Sequence, residues 1–194
     1  MAAEPTPRHT FEEYLRLERQ TDARHEFHDG LIVPILGATR AHSQIVANLT
    51  TSLRTRFRGT PCRVYDQGLR VWVPAQRRAF YPDVVALCGE HSFLDAQHDT
   101  LLNPALLVEV LSDSTQDFDH GAKFYAYRSI PNFSEYLLIS QHERFVERYL
   151  KDPERPAQWL FQEFRADTEL IQLQSVPHAL RFEEIYEDVE FTGA

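Results

Sequence analysis

The chain has 194 residues, 43% of them hydrophobic, and a formal net charge of −9. Such a length and apolar fraction suit one domain with a real core and exclude a disordered polymer. The acidic balance excludes steering to nucleic acid by the global field, and with it a DNA-packaging role, but not a nuclease whose acids hold metal ions.

Residues 1–8 carry two prolines and little apolar surface, and read as a disordered tail before a single domain over residues 9–194. This stretch has no apolar core of a signal peptide, and no run in the chain approaches a membrane span. Thr10 caps a helix, with Glu13 at capping-box spacing and Phe11, Tyr14, Leu15 and Leu17 on a partly apolar face. RHEFHDG follows, and its Asp29-Gly30 signals a turn. LIVPIL reads as a strand whose Pro34 points to an edge or a bulge. From about Arg40 to Arg58, Ile45, Leu49, Leu53 and Phe57 recur at helical spacing, and Gly59 ends the helix. Arg54, Arg56 and Arg58 suit its negative C-terminus and are a weaker candidate for touching DNA phosphates.

CRVYDQ and LRVWVP read as two strands joined by a hairpin at Gln67-Gly68, and AFYPDVVALC as a third. Cys62 and Cys88, the only cysteines, form no CxxC pair and no zinc framework, so a reduced, cytoplasmic setting is the simple reading. A polar connection runs from Glu90 to Leu102. The run Ala105–Leu111 is apolar except for Glu109 and reads as a strand buried on both faces. LSDSTQDFD is a loop of turn and cap residues, and the short helix after it carries Asp119 and Lys123 at i, i+4. EYLLIS, RFVERYL, QWLFQEF and ELIQLQ are four short strands, and RFEEIYEDV closes as an amphipathic helix. The order predicts an α/β or α+β fold around one mixed sheet.

Two acids thus sit in otherwise apolar strands, Asp83 in YPDVVAL and Glu109 in LVEVL. A carboxylate inside a buried strand costs several kcal/mol unless a cation or a donor meets it. On neighbouring strands the two would project into one pocket, and their repulsion would be relieved by a proton or a shared cation. A hard divalent ion takes oxygen ligands, and magnesium takes one or two carboxylates and keeps waters. With Lys123 nearby, the set suits metal-assisted phosphodiester hydrolysis. HEFH is not HExxH, and the chain has neither a GxSxG elbow nor a glycine-rich phosphate loop among its 7 glycines.

Proline-aspartate on one strand, glutamate on the next buried strand and a nearby lysine resemble the PD-(D/E)XK nuclease superfamily. EEYL, RHEFHDG, AHSQIVANL, YPDVV, NPALLVEVLSDST, the Asp119-to-Lys123 spacing and IPNFSEYLLI, in that order from about Phe11 to Phe191, resemble one branch of it, the Uma-two family of endonucleases. The resemblance implies a restriction-endonuclease-like mixed sheet flanked by helices, with additional C-terminal strands. It implies Mg2+ or Mn2+ held by Asp83 and Glu109, with the Val110 carbonyl as a third oxygen, and Lys123 and Glu26 as further catalytic groups. DNA is the implied substrate, and a homodimer would let two sites address two strands. The short superfamily motif puts lysine two residues after the acid, where this chain has Leu111. The branch moves it to the following helix, which requires that helix to turn Lys123 back towards Glu109.

Plainer accounts stand beside each of these residues. Asp83 after proline is also a common strand-edge turn residue. Glu109 could be one half of a buried ion pair, with Lys123 as its partner, and Asp119 with Lys123 could be a surface pair. Glu26 could be a solvated acid, His42 a helix-start or core histidine, and Tyr127 a ring packed on the lysine stem. From another functional class, a nuclease fold that binds DNA or protein without cutting also fits the acidic balance and the displaced lysine, and a purely structural partner in a toxin-like or mobile-element system is a second alternative.

Overall fold

The computed structural model describes residues 8–165 and 167–191. Of the tail expected over residues 1–8, all but Arg8 lies outside the described residues.

Helix α1 (Phe11–Glu18) starts at Thr10, whose hydroxyl accepts from the Glu13 N–H while the Glu13 carboxylate accepts from the Thr10 N–H. Strands β1 (His25–His28) and β2 (Leu31–Pro34) form a hairpin. Its turn residues Asp29 and Gly30 both take positive φ, as a two-residue turn matched to strand twist requires. Helix α2 (Arg40–Arg56) buries Ile45, Val46, Leu49 and Leu53, and Gly59 at φ 74° leaves it. Then come β3 (Cys62–Asp66), β4 (Arg70–Val73), β5 (Arg78–Phe80), β6 (Val84–Cys88), β7 (Thr100–Leu101) and β8 (Leu106–Leu111). A helical segment follows in three parts: α3 (Gln116–Phe118), a π-helical turn (Asp119–Lys123) and α4 (Phe124–Tyr127). Strands β9 (Glu135–Ser140), β10 (Val146–Lys151), β11 (Trp159–Phe164), β12 (Leu170–Gln172) and β13 (Ala179–Arg181) lead to α5 (Phe182–Ile185).

Among the described residues the strands make a five-stranded sheet β2-β1-β5-β4-β7, a six-stranded sheet β11-β10-β9-β8-β6-β3 and the small pair β12-β13, so the single sheet expected from sequence is corrected to three. Both larger sheets are mixed: β8 runs parallel to β9, β4 runs parallel to β7, and the other neighbours are antiparallel. The expected hairpin at Gln67-Gly68 is also corrected. The arms β3-β4 and β5-β6 are one long bent hairpin, because β3 pairs with β6 and β4 with β5. Its tip is at Pro74–Gln76, where Arg77 takes φ 50°. Gln67-Gly68 and Tyr81-Pro82-Asp83 lie opposite one another at the bend, where both arms leave one sheet for the other. From Asp66 to Val71 is five steps and from Val84 to Phe80 only four, so the first arm carries one extra residue there, as a bulge does. Pro82 has no N–H to give a ladder, which breaks the expected strand AFYPDVVALC in two at the same point.

Alternation along β8 places Leu106, Val108 and Val110 in the core under α2. Leu107 and Leu111 face the other core, built with Phe80, Tyr127 and Tyr136, and Glu109 falls between them on that face. A third cluster, with Tyr14, Phe27 and Trp72, seats α1 on the five-stranded sheet. No described helix is long and apolar enough to cross a membrane.

Cys62 and Cys88 stand directly opposite each other in the β3-β6 register and form a disulfide. The free cysteines expected from their wide linear spacing are thereby corrected, since only the antiparallel register makes them neighbours. Closing the 26-residue separation stabilises the fold by roughly 3 kcal/mol. Purified without reductant and denatured in guanidinium, the chain should show no thiol to a chromogenic thiol reagent, and reduction should lower its stability by about that amount. Two titratable thiols before reduction would contradict the pairing.

Candidate active site

The bend of the hairpin delivers Asp83, the centre of β8 delivers Glu109, β1 delivers Glu26, and the π turn delivers Asp119 and Lys123. None of the five is more than 9% exposed, so their charges meet one another rather than water. Lys123 Nζ lies 3.1 Å from Glu109 Oε2, 3.1 Å from Asp119 Oδ1 and 3.7 Å from Glu26 Oε1. The helix therefore does turn the displaced lysine back to Glu109. The π turn, wider than an α turn because its bonds run i→i+5, holds both Asp119 and Lys123 inward; such turns recur at functional sites. The pair is thus buried rather than the surface pair that its i, i+4 spacing also allowed.

Asp83 immediately precedes β6, and the register Val84↔Val108 continued by one rung sets it opposite Glu109. Its Oδ2 accepts from the Val110 N–H at 2.7 Å and lies 3.1 Å from His42 Nε2. Its Oδ1 accepts from Gln67 Nε2 at 2.8 Å. In an extended strand the N–H and C=O of one residue point to the same side, so the Val110 carbonyl also faces the Asp83 edge. Glu109 Oε1 accepts from the Tyr127 hydroxyl at 2.9 Å. Glu26 Oε2 lies 3.0 Å from His28 Nε2, and its Oε1 accepts from the Tyr81 N–H at 3.4 Å.

Two of these groups, Gln67 and His28, had no role at this site in the sequence reading, and Asp119 and Tyr127 had only structural ones beside Lys123. The i, i+4 spacing pointed to Asp119, but nothing in sequence marked its burial. Tyr127 was read as packing on the lysine stem, and its hydroxyl instead positions Glu109. His42, read as a helix-start or core histidine, stands on Asp83, and its Nδ1 is buried with no partner among the described residues.

Burial pushes the Glu109 carboxyl well above the ordinary range. Lys123 opposes that shift, while Asp119, Asp83 and Glu26 add to it. Burial alone would strip the charge from Lys123, but Glu109, Glu26, Asp119 and Asp83 together hold its ammonium well above the usual range. Burial likewise works against a charged Glu26, yet Lys123 and His28 bring its carboxyl below the usual value. One ammonium thus serves four carboxylates, and the excess is negative. Among the described residues no three His, Cys, Asp or Glu side chains are placed to hold an ion unaided. The donor set is two carboxylates and a carbonyl, all hard oxygens with surplus negative charge around them, and it fits a hard divalent ion that keeps its waters.

This architecture is the restriction-endonuclease-like fold, a mixed α+β core with flanking helices. A crystal structure of "a putative nuclease belonging to DUF820" from Anabaena variabilis superposes with a TM-score of 0.74, covering 92% of this chain and 97% of that one at 19% identity. The Uma2 family model, described as "Putative restriction endonuclease", matches residues 11–183, and the chain belongs to that family. Two proteins of Synechocystis sp. PCC 6803 are similar over most of its length. Protein sll1609 is 37% identical over 81% of this chain and 88% of its own, and protein slr1290 is 30% identical over 96% of both.

Removing the single cation should be costly. Lys123→Ala leaves buried carboxylates without their counter-ion and should destabilise the metal-free protein by roughly 3–5 kcal/mol. The pH dependence has a definite sign. Glu109 titrates higher folded than unfolded, so the folded state holds its proton more tightly, and stability falls as pH rises through the folded value. Lys123→Ala removes the main group opposing that shift, so its deficit should widen from acid to alkaline pH in thermal melts. A melt matching the wild type at every pH would show that the ammonium does not neutralise the cluster.

Proposed function

We propose that the protein is a divalent-metal-dependent endonuclease that hydrolyses DNA phosphodiester bonds. The observation that carries this reading is the convergence of Glu109, Asp119, Glu26 and Lys123 at the foot of Asp83, with more buried negative charge than one lysine offsets. Asp83, Glu109 and the Val110 carbonyl would hold Mg2+ or Mn2+. When bound, such an ion supplies Lewis-acid charge to the phosphate and lowers the pKa of water at the site.

The remaining work falls to the chain's own groups. The Val110 N–H, Gln67 and His42 fix the Asp83 carboxylate on both oxygens, so it meets its ligand with little reorganisation. Tyr127 does the same for Glu109. Lys123 presents N–H donors and a positive charge where charge builds up on the pentacovalent phosphate, and it orients the attacking water. Glu26, steadied by His28 and the Tyr81 N–H, lies beside Lys123 and would support a second ion or a water there. Apolar side chains of the core that holds Phe80 and Tyr127 lie against the cluster and lower the local dielectric, which strengthens each of these interactions.

Two readouts test the proposal together. The wild type should relax and linearise supercoiled plasmid in Mg2+ or Mn2+. Asp83→Asn should lower the rate at least about 10²–10³-fold, the scale of losing one preorganised electrostatic group. Mn2+ should raise the melting temperature of the wild type through mass action, with the shift lost in Asp83→Asn. An ion-dependent shift with intact plasmid would point to a nuclease fold that binds without cutting. Equal shifts in both proteins would place the ion elsewhere.

A further inference from the structure

Among the described residues, Arg78 is the arginine with a buried side-chain nitrogen that meets no acceptor, and it lies beside this cluster. It opens β5 and pairs across the ladder with His28, the residue that steadies Glu26. Alternation puts Arg78 on the same face as Phe80. Phe80 is unambiguously at the site, its ring 5.1 Å from Tyr127 and 5.9 Å from Lys123 Nζ. Arg78 therefore occupies the next rung out from the cluster on that face, about 7 Å along the strand. Its guanidinium carbon lies 5.9 Å over the ring of Phe118, which itself stacks at 5.1 Å on His28. Phe118 directly precedes the π turn, so the arginine is braced against the segment that carries Asp119 and Lys123.

Its neighbour Arg77 is held by Asp29 at 2.9 Å. Arg78 Nη1, by contrast, is buried and meets no acceptor among the described residues. A buried donor without an acceptor costs about 1–3 kcal/mol, more for a charged group, and the cost is recovered when a ligand supplies the oxygen. The residue as a whole is only partly buried, so the side chain borders solvent, and a shift of the guanidinium would bring Nη1 to a ligand oxygen. Guanidinium is the cation whose planar fork matches phosphate oxygens, and a flat aromatic brace holds that fork in place.

We propose that Arg78 binds a phosphodiester of the nucleic-acid backbone adjacent to the one that is cut. The proposal rests on the nuclease reading and names its second phosphate contact. Arg78 is a substrate-binding residue: it grips a non-bridging oxygen and thereby sets where the scissile phosphate lies over Lys123, while four buried acids would otherwise repel the strand.

The test is binding of a fluorescent DNA duplex at several salt concentrations in calcium, beside plasmid cleavage in magnesium. Each phosphate neutralised contributes about 0.9 to the slope of log K against log salt on duplex DNA. Arg78→Gln should therefore weaken binding and flatten the slope by about that amount. Arg78→Lys should keep the slope and lose part of the affinity, because it retains the charge without the fork. Arg155→Gln is the control. It lies in the β10-β11 turn, at the end of the six-stranded sheet opposite Glu109, and it should leave the slope unchanged. The Mn2+ melting shift should persist in Arg78→Gln, separating phosphate contact from loss of the metal site or the fold. A wild type that cuts while Arg78→Gln keeps affinity and slope would overturn the role of Arg78 and leave the nuclease standing. A flattened slope with no wild-type cleavage would retain the phosphate contact and overturn the nuclease. Equal losses in Arg155→Gln, or no duplex binding by the wild type, would overturn the Arg78 proposal.

Discussion

Four carboxylates share one ammonium in the interior of this protein, and much of the fold follows from having to make that arrangement tolerable. Each acid alone would cost several kcal/mol to bury. Lys123 touches three of them, and three of the four acids take further donors: Tyr127 for Glu109, His28 for Glu26, and Val110 N–H, Gln67 and His42 for Asp83, while Asp119 Oδ1 meets no hydrogen-bond donor among the described residues and has only the charge of Lys123 beside it. The answers come from β1, β8, α2, the hairpin bend and the segment after the π turn, so elements far apart in sequence are tied to one point. A partly satisfied network of this kind is costly in a low-dielectric interior, and the atoms it leaves without a partner, Asp119 Oδ1 and His42 Nδ1, both belong to side chains of the cluster.

The bend in the long hairpin is what makes the site accessible to both sheets. Had β3-β4 and β5-β6 continued straight, Asp83 would sit inside a ladder with its carboxylate confined to one face. Pro82 ends the pairing on one arm, and the extra residue by Gln67-Gly68 relaxes the other. The strand order then splits into two sheets with the acids at the seam. A second buried network stiffens the five-stranded sheet behind the seam. Arg70, only 2% exposed, donates to Thr100 and Tyr81 and pairs with Asp99, while Glu18 accepts from Tyr81 and the His25 N–H. That network anchors α1 and the end of β1 from which Glu26 projects.

Much of the site was legible in the chain because its residues break local patterns. Glu109 interrupts a β-period apolar run, and no surface account explains an acid there. Asp83 follows a proline inside a strand pattern. The capping box at Thr10, the Asp29-Gly30 turn and the helical spacing of Ile45, Leu49 and Leu53 are short-range signals, and all three appear as expected. What sequence did not disclose depends on long-range pairing. The hairpin was assigned to Gln67-Gly68 because a turn signal looks the same whether the chain reverses or merely changes sheets. The Cys62–Cys88 bond needs the β3-β6 register. HEFH becomes a strand, although four residues with two histidines carry no clear period. β13 is likewise too short for a pattern. The π turn has no residue signature at all, yet it carries both Asp119 and Lys123 into the cluster beside Glu109.

The central claim is that the surplus charge at Asp83 and Glu109 is there to receive a divalent ion. The most direct measurement is an anomalous difference map from a crystal soaked in manganese. The account predicts a peak within coordination distance of Asp83 and Glu109 oxygens and the Val110 carbonyl, with Lys123 Nζ beside it rather than bound to it. A site without density between those two carboxylates at saturating manganese, or a peak held only by other acids, would contradict it.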